Sequence, residues 1–518
     1  MPRHVAVLGA GLTGLSSAFH LSRLHPNLKV TLIEGQKQAG GWVRSSRIAL
    51  PDNYGSVLLE AGPRTLRPNA QSILELVNIL KLQDRVITVS KDSPAAKARY
   101  LYIPPEYGGT AQGLQEIPSS LFGLLKSPLT RTLVPAVVQE LFKWNNAPPD
   151  NQDESVDSFL RRRFGSSFAE TFGSAIIHGI YAADSRKVSI GAAFPTMVDA
   201  ANRGWGGLVR GMLVPSRKQD PGSYDVGDMP NRLEGAAVFS FRDGMQTLTD
   251  SLEEDLKRNS NVEIIYNSPA SSLEHGRDEF QINLAGGQTI PATHVISTVP
   301  TPTLHHLLAS SNGDSLQALI ASPTSTVHVV NIVFPGPPSS IHPAGFGYLI
   351  PRPPSGYPAN PSTSRPGFLG TVFDSCSLAD QDTETPNPFS YDNARFTKLT
   401  VMVGGPYPTP SLPPFLSSSE GPTSPAERQL PDYMRTVLDQ LSLHLSQTLP
   451  DPVYWRVVPN RRCIPTLLPG HTQRIQELRS FLDTRYEGRL QIAGAGVGGV
   501  SLGDCVEGGR KAARNLVL

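Results

Sequence analysis

Gly9-Ala10-Gly11-Leu12-Thr13-Gly14 follows a short apolar run, Val5-Ala6-Val7-Leu8, and opens a second one carrying Leu15, Ala18, Phe19 and Leu21. The first run predicts a strand over 3–9 and the second a helix. Between them, Gly9 permits a tight turn, Gly11 lets a pyrophosphate approach the backbone, and Gly14 lets the helix pack close to the strand. Residues 28–34 predict the next strand, and Glu34 stands at its end, twenty residues beyond Gly14. A carboxylate there can accept hydrogen bonds from a ribose and would repel a 2′-phosphate. Strand, glycine turn, helix, strand and acid in this order predict an α/β dinucleotide-binding fold. Ala10, Leu12 and Thr13 lie on the loop itself and are expected to line the ligand with the three glycines.

Outward from this core, three more glycine turns follow. Gly40-Gly41-Trp42-Val43-Arg44-Ser45 comes directly after the ribose-binding acid, and a double glycine at that place suits a flavin rather than a nicotinamide dinucleotide. Arg44 either faces phosphate or is a solvated surface arginine. Gly62-Pro63-Arg64-Thr65 is a further turn along which the chain could pass the ligand. Near the far end, Ala493-Gly494-Ala495-Gly496-Val497-Gly498-Gly499-Val500-Ser501-Leu502-Gly503-Asp504 lies between a strand, Leu490–Ala493, and a terminal helix. The N-terminus of that helix would bring partial positive charge to a ring on which reduction builds negative charge.

The composition narrows the class. Among 518 residues, 46 Lys and Arg oppose 45 Asp and Glu, so no basic field is present to attract nucleic acid. Three widely spaced cysteines, Cys376, Cys463 and Cys505, suit neither a disulfide framework nor zinc. The histidines show no metal-ligand spacing, and no metal site is expected. The first strand begins at once, so no leader is expected ahead of it, and no apolar run reaches eighteen residues. Pro118 to Trp144 mixes Leu121, Phe122, Leu124, Leu125, Leu133, Val137, Val138, Leu141 and Phe142 with Lys126, Arg131 and Lys143. That pattern fits a helical segment lying in a bilayer interface, or a helical pair in the protein's own core.

Pro351 to Pro366, Gly405 to Pro425 and Pro215 to Glu234 are rich in Pro, Ser and Gly and read as long loops or insertions. A helix is expected from Gln71 to about Leu82, and mostly helical spacing from Pro118 to Ser189. Strands are expected at Val262–Tyr266, Phe280–Leu284, His294–Thr298, Val327–Phe334, Gly347–Ile350, Phe368–Phe373 and Leu399–Val403. One α/β unit is therefore assembled from distant pieces.

Together these fragments resemble the flavin amine-oxidase superfamily and, within it, the protoporphyrinogen oxidase branch. The narrower likeness rests on the GGW variant at Gly40-Gly41-Trp42, the turn Glu60 to Pro68, the strand Ala98-Arg99-Tyr100-Leu101-Tyr102, and the segment Gly179 to Asp184. Gly345 to Pro351, Thr400 to Gly405 and Gly499 to Cys505 complete it, and the likeness runs from residue 1 to about 514. One departure is Pro465-Thr466-Leu467-Leu468-Pro469-Gly470-His471, where relatives often carry Pro-Gln-Tyr before a Gly-His pair.

The resemblance implies an FAD-binding two-dinucleotide-fold domain with a mixed-sheet substrate domain and a helical membrane-associating domain. The flavin domain would comprise residues 1–95, 235–305 and 456–518, the helical one 96–215, and the substrate domain 306–455 with its Pro/Ser-rich insertions. It implies FAD contacts at Gly9 to Gly14, Glu34, Gly35, Trp42 and Gly62 to Thr65, at the backbone of Val262 beside the adenine, and at Val500, Ser501 and Leu502 beside the isoalloxazine. It places Arg99 against a substrate propionate, with Phe346, Gly347, Leu349 and Met402 around a tetrapyrrole. From periodicity alone these would be a surface arginine and ordinary strand core. The implied reaction is oxidation of protoporphyrinogen IX to protoporphyrin IX with O2 as acceptor and H2O2 released, with no side chain as catalytic acid or base. Another FAD-dependent amine oxidase or desaturase is the nearest alternative, and a flavin-binding protein without turnover is a third. The resemblance also implies a monotopic membrane surface contact on the intermembrane-space side of the mitochondrial inner membrane, and allows a homodimer.

Overall fold

The computed structural model describes residues 3–51, 54–109, 113–118, 127–142, 153–215, 224–308, 314–361, 366–382, 394–410, 412 and 430–518. The strand His4–Leu8 stands at the centre of a five-stranded parallel sheet. In order across it, the strands are Leu490–Ile492, His294–Ser297, His4–Leu8, Lys29–Ile33 and Val262–Ile265. Most of their side chains are apolar because a parallel sheet is covered on both faces. Val5 and Val7 enter one core with Leu15 and Phe19 of the helix Leu12–Leu24, Leu252 of the helix Gln246–Arg258 and Val506 of the helix Leu502–Asn515. Ala6 and Leu8 enter the other, with Phe280 and Ile282 of a small antiparallel sheet and Ile475 and Leu478 of the helix His471–Tyr486. This unit is built from both ends of the chain, as its sequence pattern requires.

The second unit is a seven-stranded mixed sheet. Its order is Tyr454–Pro465, Thr324–Pro335, Phe396–Gly405, Phe368–Val372, Gly347–Leu349, Tyr100–Tyr102 and Leu114–Glu116. Val330, Ile332, Val401 and Tyr348 bury one face against Met434, Val437 and Leu441 of the helix Asp432–Leu445. Residues of opposite parity (Leu101, Leu349, Met402, Val329) turn the other face toward a helical layer, where Phe172, Ala175 and Ala182 meet them. That layer contains Thr130–Leu141, Val156–Phe164, Ser174–Tyr181, Pro195–Arg203 and Leu208–Leu213. Its own core holds Phe159, Leu160, Ile177, Tyr181 and Val188.

Two expected divisions need correction. Tyr100–Tyr102 and Leu114–Glu116 are strands of the mixed sheet rather than part of the helical segment 96–215, because their backbone groups pair with Gly347–Leu349 and with each other. The boundary at 455 also falls inside an element. Tyr454–Pro465 is one edge strand, paired with Thr324–Pro335 through a bulge between Ser325 and Val327, and an edge tolerates its Pro459. Residues 119–126 and 143–144 of the amphipathic stretch, and much of the three Pro-rich stretches, lie outside the described residues.

Candidate functional site

The Gly9 turn has the geometry its glycines imply. Gly9 has φ +91°, and its N–H donates to the carbonyl of Ile33. A Cβ at Gly14 would overlap the carbonyl oxygen of Gly9, so only glycine lets the helix close on the strand. At Gly11 the nearest atom to such a Cβ is 4.0 Å away, on Gly41, which leaves room for a ligand against bare backbone. The helix Leu12–Leu24 starts without a side-chain cap and with no acid in its first turn, which suits a phosphate. Gly40 lies alongside Gly11, its N–H donating to the carbonyl of Ala10 at 2.8 Å. Trp42 beyond it is 43% exposed. These features fit the diphosphate of FAD.

Glu34 is buried at the carboxyl end of its strand. Its two oxygens accept from the N–H of Ala10 at 2.7 Å and of Gln36 at 2.9 Å, and each keeps a lone pair for a ribose hydroxyl. The Arg44 guanidinium donates to the carbonyl of Ala39 in its own loop, and burial lowers its pKa while Glu34 opposes that shift. Val262 is misplaced by the sequence reading. It pairs with Val30 near the opposite end of the sheet from Glu34, whereas ligands of such sheets bind at the carboxyl ends. The chain that crosses beside Glu34 is Tyr266–Ala270: Ser268 N–H donates to the Glu34 carbonyl, and Pro269 lies 3.2 Å from where a Cβ on Gly35 would be. A backbone contact has no side-chain signature, so spacing alone could not find it.

Gly62-Pro63-Arg64-Thr65 abuts the Trp42 carbonyl, which a Cβ on Gly62 would approach to 2.5 Å. Arg64 is buried and ion-paired with Asp374 at 2.9 Å. Asp374 also accepts from Thr400 at 2.6 Å, Thr400 accepts from Asn331, and Asn331 accepts from the buried Arg456. Arg64 thus fastens the Gly62–Thr65 turn to the mixed sheet. In the last glycine loop, Gly494 and Gly499 have φ +124° and +134°, and a Cβ on Gly498 would meet open space. Ser501 caps the helix Leu502–Asn515: its hydroxyl accepts from Asp504 N–H at 3.1 Å, while Asp504 accepts from Ser501 N–H. Ser501 is therefore engaged within its own helix, and the N–H groups of Leu502 and Gly503 are the ones left without an intrahelical partner. Val500 packs on the helical layer together with Leu467. The divergent Pro465–His471 segment thus fills with a buried leucine, and His471, also buried, reaches the Val497 carbonyl at 3.4 Å.

On the mixed sheet, Tyr100–Tyr102 and Gly347–Leu349 run parallel, with Leu101 opposite Leu349. Arg99 shares parity with Leu101 and so belongs to the face turned toward the helices. It is exposed, and among the described residues no side-chain partner holds its guanidinium. Leu349 and Met402 lie on this same face, half-buried, and Gly347 (φ +140°) lies where a side chain would strike the Thr371 carbonyl. Phe346, half-buried, precedes the strand and donates its N–H to the Ala98 carbonyl at 3.0 Å. The arrangement offers an apolar wall with a cation at its rim.

Comparison with known proteins bears on this geometry. The model of the flavin containing amine oxidoreductase family matches residues 12–517. The chain is 32% identical to the protoporphyrinogen oxidase of Schizosaccharomyces pombe, over 99% of this chain and 98% of that protein. It is 31% identical to protoporphyrinogen oxidase of Homo sapiens, over 100% and 99%. A crystal structure of a provisionally assigned protoporphyrinogen oxidase from Exiguobacterium sp. superposes with a TM-score of 0.72 at 20% identity, covering 99% of this chain and 98% of that one. At that identity the likeness is one of fold.

Proposed function

The chain belongs to the flavin-containing amine oxidoreductase family, an FAD-dependent oxidoreductase in the company of the protoporphyrinogen oxidases, and we propose that it oxidises protoporphyrinogen IX to protoporphyrin IX with O2 as acceptor and H2O2 as by-product. The observation that carries this reading is the sheet face bearing Leu349 and Met402 with the exposed Arg99 at its rim. A porphyrinogen is mostly apolar and carries two propionates, so it needs greasy walls and a cation that stays charged. FAD, when bound, supplies the acceptor for the electrons. The chain's own contribution is orientation, exclusion of water by the apolar wall, and the N–H groups of Leu502 and Gly503 at a helix N-terminus, which favour negative charge. No acid–base pair is invoked.

The test is incubation of purified holoenzyme with protoporphyrinogen IX, following porphyrin fluorescence together with O2 uptake and H2O2. Porphyrin appearing no faster than without enzyme would refute the assignment. Turnover of a primary amine instead would move the enzyme elsewhere in its family.

An exposed apolar surface supports attachment to a membrane. Glu140, in Thr130–Leu141, accepts from the N–H of Val209 at 3.1 Å, and Arg210 donates to the Leu141 carbonyl at 2.6 Å, so Thr130–Leu141 and Leu208–Leu213 lie side by side. Between them they expose Val137, Val138, Leu141, Phe142 (77%), Met212 and Leu213 (80%). Trp205, 73% exposed, joins them on a turn where its φ is +48°. Isolated exposed hydrophobics are ordinary, but a grouped set marks an interaction surface. No described helix is long and apolar enough to cross a membrane, so the proposed contact is with one leaflet. The mitochondrial inner membrane is the proposed site, to be tested by fractionation.

A further inference from the structure

Two of the Pro-rich stretches each send one tyrosine to the same place. Tyr357, from 351–366, and Tyr407, from 405–425, pack edge-on with ring centroids 4.9 Å apart. Between them and the sheet lies His178, almost wholly buried on the helix Ser174–Tyr181. Its Nδ1 is 2.7 Å from the Ile350 carbonyl and its Nε2 is 2.8 Å from the Tyr357 hydroxyl. A carbonyl can only accept, so Nδ1 carries the proton, Nε2 is bare, and Tyr357 donates to it. Burial holds His178 in this neutral form, its pKa pushed down to about 4.

The neighbours of this cluster are the residues of the apolar wall. Ile350 follows Leu349, and Gly179 follows His178. A Cβ on Gly179 would lie 2.8 Å from the Leu349 side chain, so helix and strand touch there. Tyr407 packs in one group with Met402, Ala182 and Leu369, and Gly367 leaves space for its ring. Leu349 and Met402 are thus each one step from His178 or Tyr407.

We propose that the Tyr357–His178 hydrogen bond and the Tyr407 ring fix the spacing between the helix Ser174–Tyr181 and the mixed sheet, and thereby select which tetrapyrrole the wall accepts. The three are positioning residues, and the proposal rests on the porphyrinogen reading above. An apolar wall held at a fixed distance from its helix would favour a macrocycle with two propionates and apolar remaining substituents. One with four propionates would bury extra carboxylates against Leu349 and Met402, which is costly. Loosening the spacing reduces the first preference and relaxes the second penalty.

The experiment uses FAD-loaded enzyme and equilibrium titration with the stable porphyrins protoporphyrin IX and coproporphyrin III, read by absorbance and fluorescence. Tyr357→Phe removes one hydroxyl and keeps the ring, and Tyr407→Leu removes the ring brought by the other stretch. FAD content and the thermal midpoint report whether each variant is folded. The expected result is a ratio of the two affinities reduced about fivefold or more in each variant, the size of one hydrogen bond or packing contact. Ratios within about twofold of the parent in both folded variants would overturn the proposal. Titration does not depend on turnover, so an enzyme that oxidises no porphyrinogen would sink the functional reading while this measurement still decided the positioning role.

Discussion

Glu34 is a carboxylate that holds its own loop and that the proposed reading assigns to a ribose as well. It accepts from Ala10 and Gln36 N–H groups, so it shapes the turn before any ribose arrives. Glu34→Ala removes these acceptors together with that for the ribose. FAD retained through gel filtration under dilution should fall, with an affinity loss of about 1.5–3 kcal/mol. Full retention would remove Glu34 from the site. Arg99 is the residue that the proposed porphyrinogen site places against a propionate. Arg99→Ala should raise the Michaelis constant for the porphyrinogen about tenfold to over a hundredfold, from the roughly 1.5–3 kcal/mol of a charge-assisted hydrogen bond. Arg99→Lys should recover part of this, since it keeps the charge without the planar fork. The propionate methyl ester should be insensitive to both substitutions, and bound FAD unchanged. If acid and ester weaken equally, Arg99 is a surface arginine.

At the scale of elements, the helix Thr130–Leu141 turns Ala136 and Glu140 inward and leaves Val134, Val137, Val138 and Leu141 exposed. Replacing Val138, Phe142 and Leu213 together by serine removes the two most exposed side chains of that surface and a third beside them. Each should cost about 1–2 kcal/mol of transfer into a bilayer interface, so pelleting with liposomes should largely disappear while FAD content stays intact. Unchanged sedimentation of the folded triple variant would end the membrane reading. What the sequence discloses differs by element for physical reasons. The βαβ start was legible because Gly9, at φ +91°, and Gly14, against the Gly9 carbonyl, each answer a steric demand that other residues do not meet, and Gly11 completes their spacing. Tyr454–Pro465 escaped notice because Pro459 and two inward polar residues break the period: Arg456 is buried on Asn331, and Asn460 donates to the Ala61 carbonyl at 2.7 Å. Such partners are far apart in sequence and leave no local trace. The same holds within the site. The glycine loops were readable, but the crossing of Tyr266–Ala270 beside Glu34 and the Tyr357–His178 pair depend on contacts that only the fold creates.

For the whole molecule, buried neutral histidines set the response to acid. Burial pushes His178, His328 and His342 down to about 4, and His20 and His444 to about 3. The unfolded chain takes up these protons near pH 6.5, which the folded one refuses. Their contribution is therefore complete above about pH 6.5 and is lost as pH falls toward about 4, by up to about 1.4 kcal/mol per pH unit for each histidine. Glu60 and Asp382, whose carboxyls burial raises, act in the opposite sense. Urea unfolding midpoints should be level from pH 7.5 to 6.5 and fall by pH 5.5; a midpoint that rises on acidification would contradict this account. The central sheet has a different consequence. Its strands His4–Leu8 and Leu490–Ile492 are both hydrogen-bonded to His294–Ser297, and the first and last helices interlock where Gly509 meets the Thr13 carbonyl. During synthesis on the ribosome, the sheet around the opening glycine turn is therefore completed only after nearly five hundred further residues have been added. Pairing across such a distance is of the kind that slows folding and leaves a strand edge open until the closing strand docks.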